Sequence, residues 1–307
     1  MLVADVQPDI WRWHPHPEVW VLVASIVGLG MYATRVIGPK VVRDGSPVVT
    51  RSQKRYFAAA VVVLWASADW PVHDIAEQYL YSVHMFQHLL VSMVAAPLFL
   101  LATPTWLARL IVGDGWFGGK ALRWLCHPVV AGLLFNGFFV FTHWPPVVNN
   151  SVQYAALHYS LHVVLFSTAL LMWMCVCGPL PELRLSLPGR MIYLFCMSIV
   201  PTVPSAWLIF AEKPIYSAYD HAYTIWGMSP TDDQQTAGVL MKLGAGIYLW
   251  VIIAVLFARW AKQSMAEDTG AVKVTRIKVE GGDDILMWDD VAHQLEHAGP
   301  APVERTP

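Results

Sequence analysis

The sequence predicts an all-α polytopic membrane protein: a bundle of seven transmembrane helices with the N-terminus outside and the C-terminus inside. Of its 307 residues 56% are hydrophobic and only 14% charged, and the mean hydropathy is +0.47, which argues against a water-soluble globule. Seven apolar stretches each approach the ~20 residues that a helix needs to cross ~30 Å of hydrocarbon. Lysine and arginine are also unevenly shared between the connecting segments, and that bias sets orientation.

Taken in order, residues 1–18 form an outer arm, residues 19–258 the transmembrane domain and residues 259–307 a cytoplasmic tail. The arm carries Trp11-Arg12-Trp13-His14-Pro15-His16-Pro17, whose indoles suit the headgroup interface. It holds Asp5 and Asp9 and no basic stretch before an apolar core, so it does not read as a cleavable signal. The spans are expected at 19–37, 56–73, 83–103, 127–148, 157–178, 190–211 and 236–258. With the N-terminus outside, the inner segments carry Lys40, Arg43, Arg51, Lys54, Arg55, Arg109, Lys120, Arg123, Arg184, Arg190, Arg259, Lys262 and Lys273. The outer segments carry only Arg12 and Lys213.

The connectors 38–55 and 104–126 are broken by glycine and proline and show no catalytic signature. Pro201 and Pro204 remove backbone donors from the sixth span and should kink it. In the tail, residues 283–297 have a helical apolar period, which predicts a short amphipathic helix. Cys126, Cys175, Cys177 and Cys196 all sit near inner helix ends and imply no disulfide framework. There is no glycine-rich phosphate loop, no Gly-x-Ser-x-Gly elbow, no Cys-x-x-Cys and no basic patch able to follow a nucleic acid. Soluble enzyme chemistry and nucleic-acid partners are therefore not expected; the partner that composition does imply is the lipid bilayer.

Nine of the twelve histidines fall at expected outward helix ends. His84 and His88 lie in the first two turns of the third span, with Gln87 between them, and His158 and His162 lie at matching depth in the fifth. Each pair is spaced i,i+4, so both rings share one helix face. His143 closes the fourth span and Asp69 and His73 the second. Polar groups at membrane depth are costly and usually mark function.

Three readings of this cluster stay open. The histidines can cap helix ends and bond backbone carbonyls at the wet interface, which is the simplest account of His14, His16, His73 and His221 taken singly. As neutral imidazoles, His84, His88, His158 and His162, with His143 in support, can hold copper or zinc. One histidine from each of two helices can also clamp a haem, although doubling at i,i+4 exceeds what one bis-histidine haem needs. At the inner ends Met172, Met174, Cys175, Cys177, Met191, Cys196 and Met197 gather soft sulfur, which suits Cu(I) but is also ordinary helix packing. Lys242, about two turns into the seventh span, needs a partner, and Asp69 is expected to supply it.

The ordered series of residues resembles the CtaG family of cytochrome c oxidase assembly factors, the multi-span type tied to caa-type oxidases. The series begins with His84-Met85-Phe86-Gln87-His88, Leu89-Leu90 and Pro97-Leu98, followed by His143-Trp144-Pro145 and by the span-five histidines ahead of Trp173. It continues with Pro214-Ile215-Tyr216, Tyr219, Trp226-Gly227-Met228-Ser229-Pro230 and Asp233-Gln234-Gln235, and ends at Gly238 and Met241. It covers residues 56–260 in order; Lys242 departs from it, standing where many relatives carry an aromatic residue. The resemblance implies a non-enzymatic helper in the biogenesis of a haem-copper oxidase in the cell membrane. It implies oxidase subunits as partners, an outer copper chaperone as a further one, and copper as the metal. A copper transporter and a metal-free docking scaffold for oxidase subunits are the rival readings.

Overall fold

The computed structural model describes residues 9–43, 45–113, 117–221 and 224–274; the expected tail helix at 283–297 lies outside them. Two compact units are distinguished, residues 1–253 and 254–307, and the packing and the site described below lie in the first. Among the described residues the chain is helical, with one isolated β-bridge and no strand.

Helix α1 (Pro17–Val41) opens with proline in its first turn, where a missing N–H costs nothing, and contains a π-helical turn at Ala33–Ile37. Helix α2 (Arg51–Ala68) starts at a capping box in which Thr50 and Gln53 exchange hydrogen bonds. A short helix, α3 (Val72–Gln78), follows directly and leads into α4 (Tyr81–Ala102), which has a π-helical turn at Leu90–Ala95, just past His88. The connector expected at 104–126 folds as two short helices, α5 (Thr105–Val112) and α6 (Phe117–Leu125). Beyond it come α7 (Pro128–Thr142), α8 (Pro145–Gln153) and α9 (Ala155–Cys177).

The sixth span breaks at Val200–Pro201 into α10 (Leu187–Ile199) and α11 (Thr202–Ile209), as the two prolines require. Ser205 Oγ donates to the Pro201 carbonyl at 2.6 Å and satisfies part of the broken ladder. The last span is α12 (Pro230–Ala266), with a π-helical turn at Leu240–Gly244.

Five helices, α1, α4, α9, the α10–α11 pair and α12, are long and apolar enough to cross a membrane, and α6–α7 makes six if that bent pair is one span. The polytopic all-α class is thus established, whereas seven spans and the N-out orientation remain expectations. The difference lies at α2, which is 18 residues long but begins with Arg51, Lys54 and Arg55, and at α7, which has only 15 residues.

Helices α4 and α9 form the buried centre. The Trp173 indole of α9 donates to the Ser92 carbonyl of α4 at 2.9 Å, within the backbone loosened by the π-turn. Helices α11 and α12 pack closely at Gly238, where a Cβ would meet the Ser205 carbonyl oxygen at 2.9 Å. Large side chains complete this packing: Tyr81, Met85, Val148, Leu208, Tyr216, Tyr219 and Met241 belong to one buried cluster beside His84.

Candidate metal centre

Helix α4 directs His84 and His88 towards α9, which answers with His158 and His162. The His84 and His88 ring centroids are 4.3 Å apart, those of His158 and His162 4.5 Å, and those of His88 and His162, across the two helices, 4.8 Å. One ring nitrogen from each of His84, His88 and His162 lies within 4.8 Å of the other two. Three imidazoles on a metal with ~2.0 Å bonds place their nitrogens ~3.5 Å apart in a trigonal plane, so small ring rotations would close this set.

Most nitrogens of these rings are buried with no hydrogen-bond partner. They are His84 Nδ1, both nitrogens of His88, His158 Nε2 and His162 Nε2. Buried polar atoms are nearly always paired, so an unpaired group concentrated at one spot marks a site that something else completes. The rings border a cavity of about 20 Å³ together with Tyr81, Met85, Thr142 and Leu161, enough for one water or one ion. A porphyrin needs space of the order of the ~300 Å³ found in the smallest ligand pockets, so the haem reading does not fit this cavity.

His143 is set differently. Its Nδ1–H donates to the Phe139 carbonyl at 2.6 Å, and its Nε2 lies 3.3 Å from the Met85 sulfur. A thioether has no hydrogen to give, so neutral His143 turns a lone pair towards Met85. The result is a nitrogen–sulfur donor pair beside the triad rather than a fourth member of it.

The second layer comes from α3, which sequence periodicity missed because it is a helix of only seven residues after Trp70-Pro71. His73, read above as an interfacial histidine, is only 3% exposed and packs its ring 5.8 Å from that of His158. Gln87 Nε2 donates to the Ser67 carbonyl at 2.8 Å and approaches His73 Nδ1 at 3.3 Å, which leaves the His73 proton on Nε2. That nitrogen is 3.2 Å from Glu77 Oε2, close enough for an ion pair though not aligned as a hydrogen bond. The other oxygen of Glu77 lies 3.7 Å from His158 Nδ1, so a carboxylate backs this ring and leaves Nε2 facing the cavity. Desolvation opposes ionisation of Glu77, but its close polar contacts with His73 and His158 prevail and lower its pKa.

The arm also joins the site. His16 Nε2 meets Asp74 Oδ1 at 2.8 Å, His14 Nδ1 meets Asp74 Oδ2 at 3.2 Å, and the His16 and His73 rings are 5.0 Å apart. Pairing of His14 and His16 with a carboxylate on α3 could not be read from their own spacing.

Other expectations on polar residues fare differently. Asp69 does not pair with Lys242: its carboxylate accepts from the Trp20 and Trp65 indoles at 2.9 and 2.7 Å and from the Trp70 backbone at 2.8 Å. Lys242 Nζ instead donates to Thr202 Oγ1 at 2.5 Å, because the π-turn of α12 faces the broken start of α11. The four cysteines are free, as expected; Cys175 Sγ donates to the Cys126 carbonyl at 3.2 Å. Between the histidines and Cys175, helix α9 buries Leu165, Thr168, Ala169, Met172 and Trp173, and the Thr168 hydroxyl is spent on the Val164 and Leu165 carbonyls of its own helix, which argues against a polar path along this face.

The remaining residues of the ordered series prove to be supports. Gln234 Oε1 accepts from the backbone N–H groups of Ile215 and Tyr216 at 2.8 and 3.0 Å, fixing the loop whose Tyr216 hydroxyl donates to the His143 carbonyl at 2.9 Å. The Tyr219 hydroxyl donates to the Ala76 carbonyl of α3 at 3.0 Å. Trp226 and Gly227 form a tight turn with φ of 52° and 76°, closed by the Ile225–Met228 bridge.

A family model described as cytochrome c oxidase caa3 assembly factor (Caa3_CtaG) matches residues 30–263. No curated protein and no solved structure matches the chain.

Proposed function

Since the chain belongs to the family of cytochrome c oxidase caa3 assembly factors, we propose that it helps to build the copper-containing part of the oxidase by holding copper at His84, His88 and His162. His158 and Met85 line the same cavity, His143 stands behind the Met85 sulfur, and these serve as further donors during exchange. The ion passes reversibly to an oxidase subunit or to a copper chaperone on the outer face of the cell membrane. The role is non-catalytic: copper is cargo, and no bond of a substrate is made or broken.

One observation carries this reading, namely the convergence of unpartnered buried ring nitrogens from two helices on one small cavity. A pure docking scaffold has no use for such a group, since each unpaired buried nitrogen costs ~1–3 kcal/mol. Imidazole suits copper and zinc alike, and the sulfur of Met85 tips the preference towards Cu(I).

The test is a copper titration of the purified protein in detergent, with oxidase copper content measured in a strain lacking it. Binding of one ion in the parent and its loss in the His84→Ala/His88→Ala/His162→Ala variant is the expected result. Equal binding by both proteins, or no binding by the parent, would refute the metal reading and leave the docking role.

A further inference from the structure

A cation bound at the buried triad must reach it from the solvent, and a series of histidines runs from the arm through α3 to the triad. Side-chain exposure falls stepwise from His14 at 42% through His16 at 13% to His73 at 4% and His158 at 2%. The rings follow one another at contact distance: His16 to His73 is 5.0 Å, His73 to His158 is 5.8 Å and His158 to His162 is 4.5 Å. Carboxylates flank the first steps, with Asp74 between His14 and His16 and Glu77 between His73 and His158. At the far end the unpartnered Nε2 of His158, a residue 2% exposed, opens on the triad cavity.

At the mouth His16 Nε2 and His14 Nδ1 lie 2.8 and 3.2 Å from the two Asp74 oxygens. Ligand atoms ~2.0 Å from a tetrahedral metal are ~3.3 Å from each other, so each nitrogen–oxygen pair already has a ligand spacing, while the two rings on separate oxygens must draw together around an ion.

We propose that His14, His16 and Asp74 form a capture site for a copper ion, and that His73 and His158, on either side of Glu77, relay the ion to the triad. This rests on the copper reading of the triad and adds a route to it. Each transfer is a ligand exchange: the lone pair of the next imidazole nitrogen forms a bond to the metal as the bond to the preceding donor breaks, and at His73 the Nε2 proton first passes to Glu77, 3.2 Å away, and returns when the ion has moved on. The oxidation state does not change. Protons held between His14, His16 and Asp74 leave to solvent when the ion binds, and return when it moves inward. The flanking carboxylates offset the positive charge along the way, while the triad itself offers only neutral donors and so ends the route with the softest set.

The route predicts an effect on rate rather than on final occupancy. The full-length protein in detergent micelles is mixed with Cu(I) carried by a coloured chelator, and chelator absorbance reports uptake after rapid mixing. Three variants are compared with the parent: His14→Gln/His16→Gln, Asp74→Asn and His16→Lys. The last keeps a cation against Asp74 and Glu18, so the arm stays docked, but an ammonium group cannot ligate. All three should load at least about tenfold more slowly, the scale on which local charge and focusing alter association rates. Their final copper stoichiometry at the triad should equal that of the parent. Parental loading rates in His16→Lys and in the double variant would overturn the relay while leaving the triad intact. A parent that takes up no copper would overturn both.

Discussion

The carboxylate of Asp233 caps the helix that carries His84 and His88: it accepts the backbone N–H of Tyr81 at 2.7 Å and that of Ser82 at 3.0 Å, across 152 and 151 residues of chain. Leu80, the residue before α4, offers no capping side chain, so the first donors of the helix would otherwise be buried and unpaired. The negative charge also meets the positive end of the helix dipole. Asp233→Ala should therefore lower unfolding stability by about 2 kcal/mol and loosen His84 against α9. Asp233→Asn, which keeps an accepting oxygen, should cost less. Thermal melting in detergent alongside copper titration checks both, and a melting point unmoved by Asp233→Ala would contradict the capping role.

The triad and its neighbours should separate by single substitution. His88→Ala and His162→Ala each remove a donor and should weaken copper binding by more than the ~10–100-fold typical of groups that only orient a ligand. Glu77→Gln, which leaves His158 without its charged backing, should fall within that ~10–100-fold range. Met85→Leu should retain triad binding but lose preference for Cu(I) over Zn(II), because the soft sulfur on the cavity wall is gone. Competition titrations with the two ions decide the matter; unchanged selectivity in Met85→Leu would remove the sulfur from the site.

Lys242 is held by one hydroxyl inside the apolar bundle. Thr202→Val should lower stability by ~1–3 kcal/mol, since it leaves the ammonium without its acceptor. Lys242→Met removes the charge altogether and should be neutral or stabilising, as charged groups at helix centres cost ~3 kcal/mol on insertion scales. If Lys242→Met lowers the melting point more than Thr202→Val, the lysine has a further partner that matters to folding.

Docking of the arm should depend on pH. Burial of the His16 ring disfavours its charge, but hydrogen bonds and charge from Asp74 and Glu18 outweigh this and raise its pKa above 6.5. A raised value means that the contribution to docking is fully present below pH 6.5 and fades as pH rises through the folded-state value. Tryptic cleavage after the exposed Arg12, normalised to an unstructured peptide of the same sequence, should accelerate across that interval. Asp74→Asn should cleave rapidly at every pH. A cleavage rate in the parent independent of pH from acid to alkaline would show that the His16 charge does not hold the arm.

Membrane character, the kink at Pro201 and the facing pairs His84/His88 and His158/His162 were legible in the sequence. Each follows from a local rule: apolar length, a missing amide hydrogen, or the i,i+4 spacing that puts two rings on one face. The family could likewise be recognised from its ordered residues, although most of them turn out to support the site rather than line it. Helix α3, the place of His73 against His158, the hold of Asp74 on His14 and His16, and the cap from Asp233 were not legible. All of these join residues far apart in the chain, and no spacing rule reports which helix ends meet. The partner of Lys242 was misread for the same reason: depth along a span is visible in sequence, but the direction in which a side chain leaves its helix is not, least of all at a π-turn that rotates the face. Residue types and their spacing along each span set which donor groups the chain carries and how far along each helix they stand. Which imidazoles share a cavity, and which are held by carbonyls, carboxylates or sulfur, depends on how the packed helices rotate and fit, and that is settled between segments and not within them.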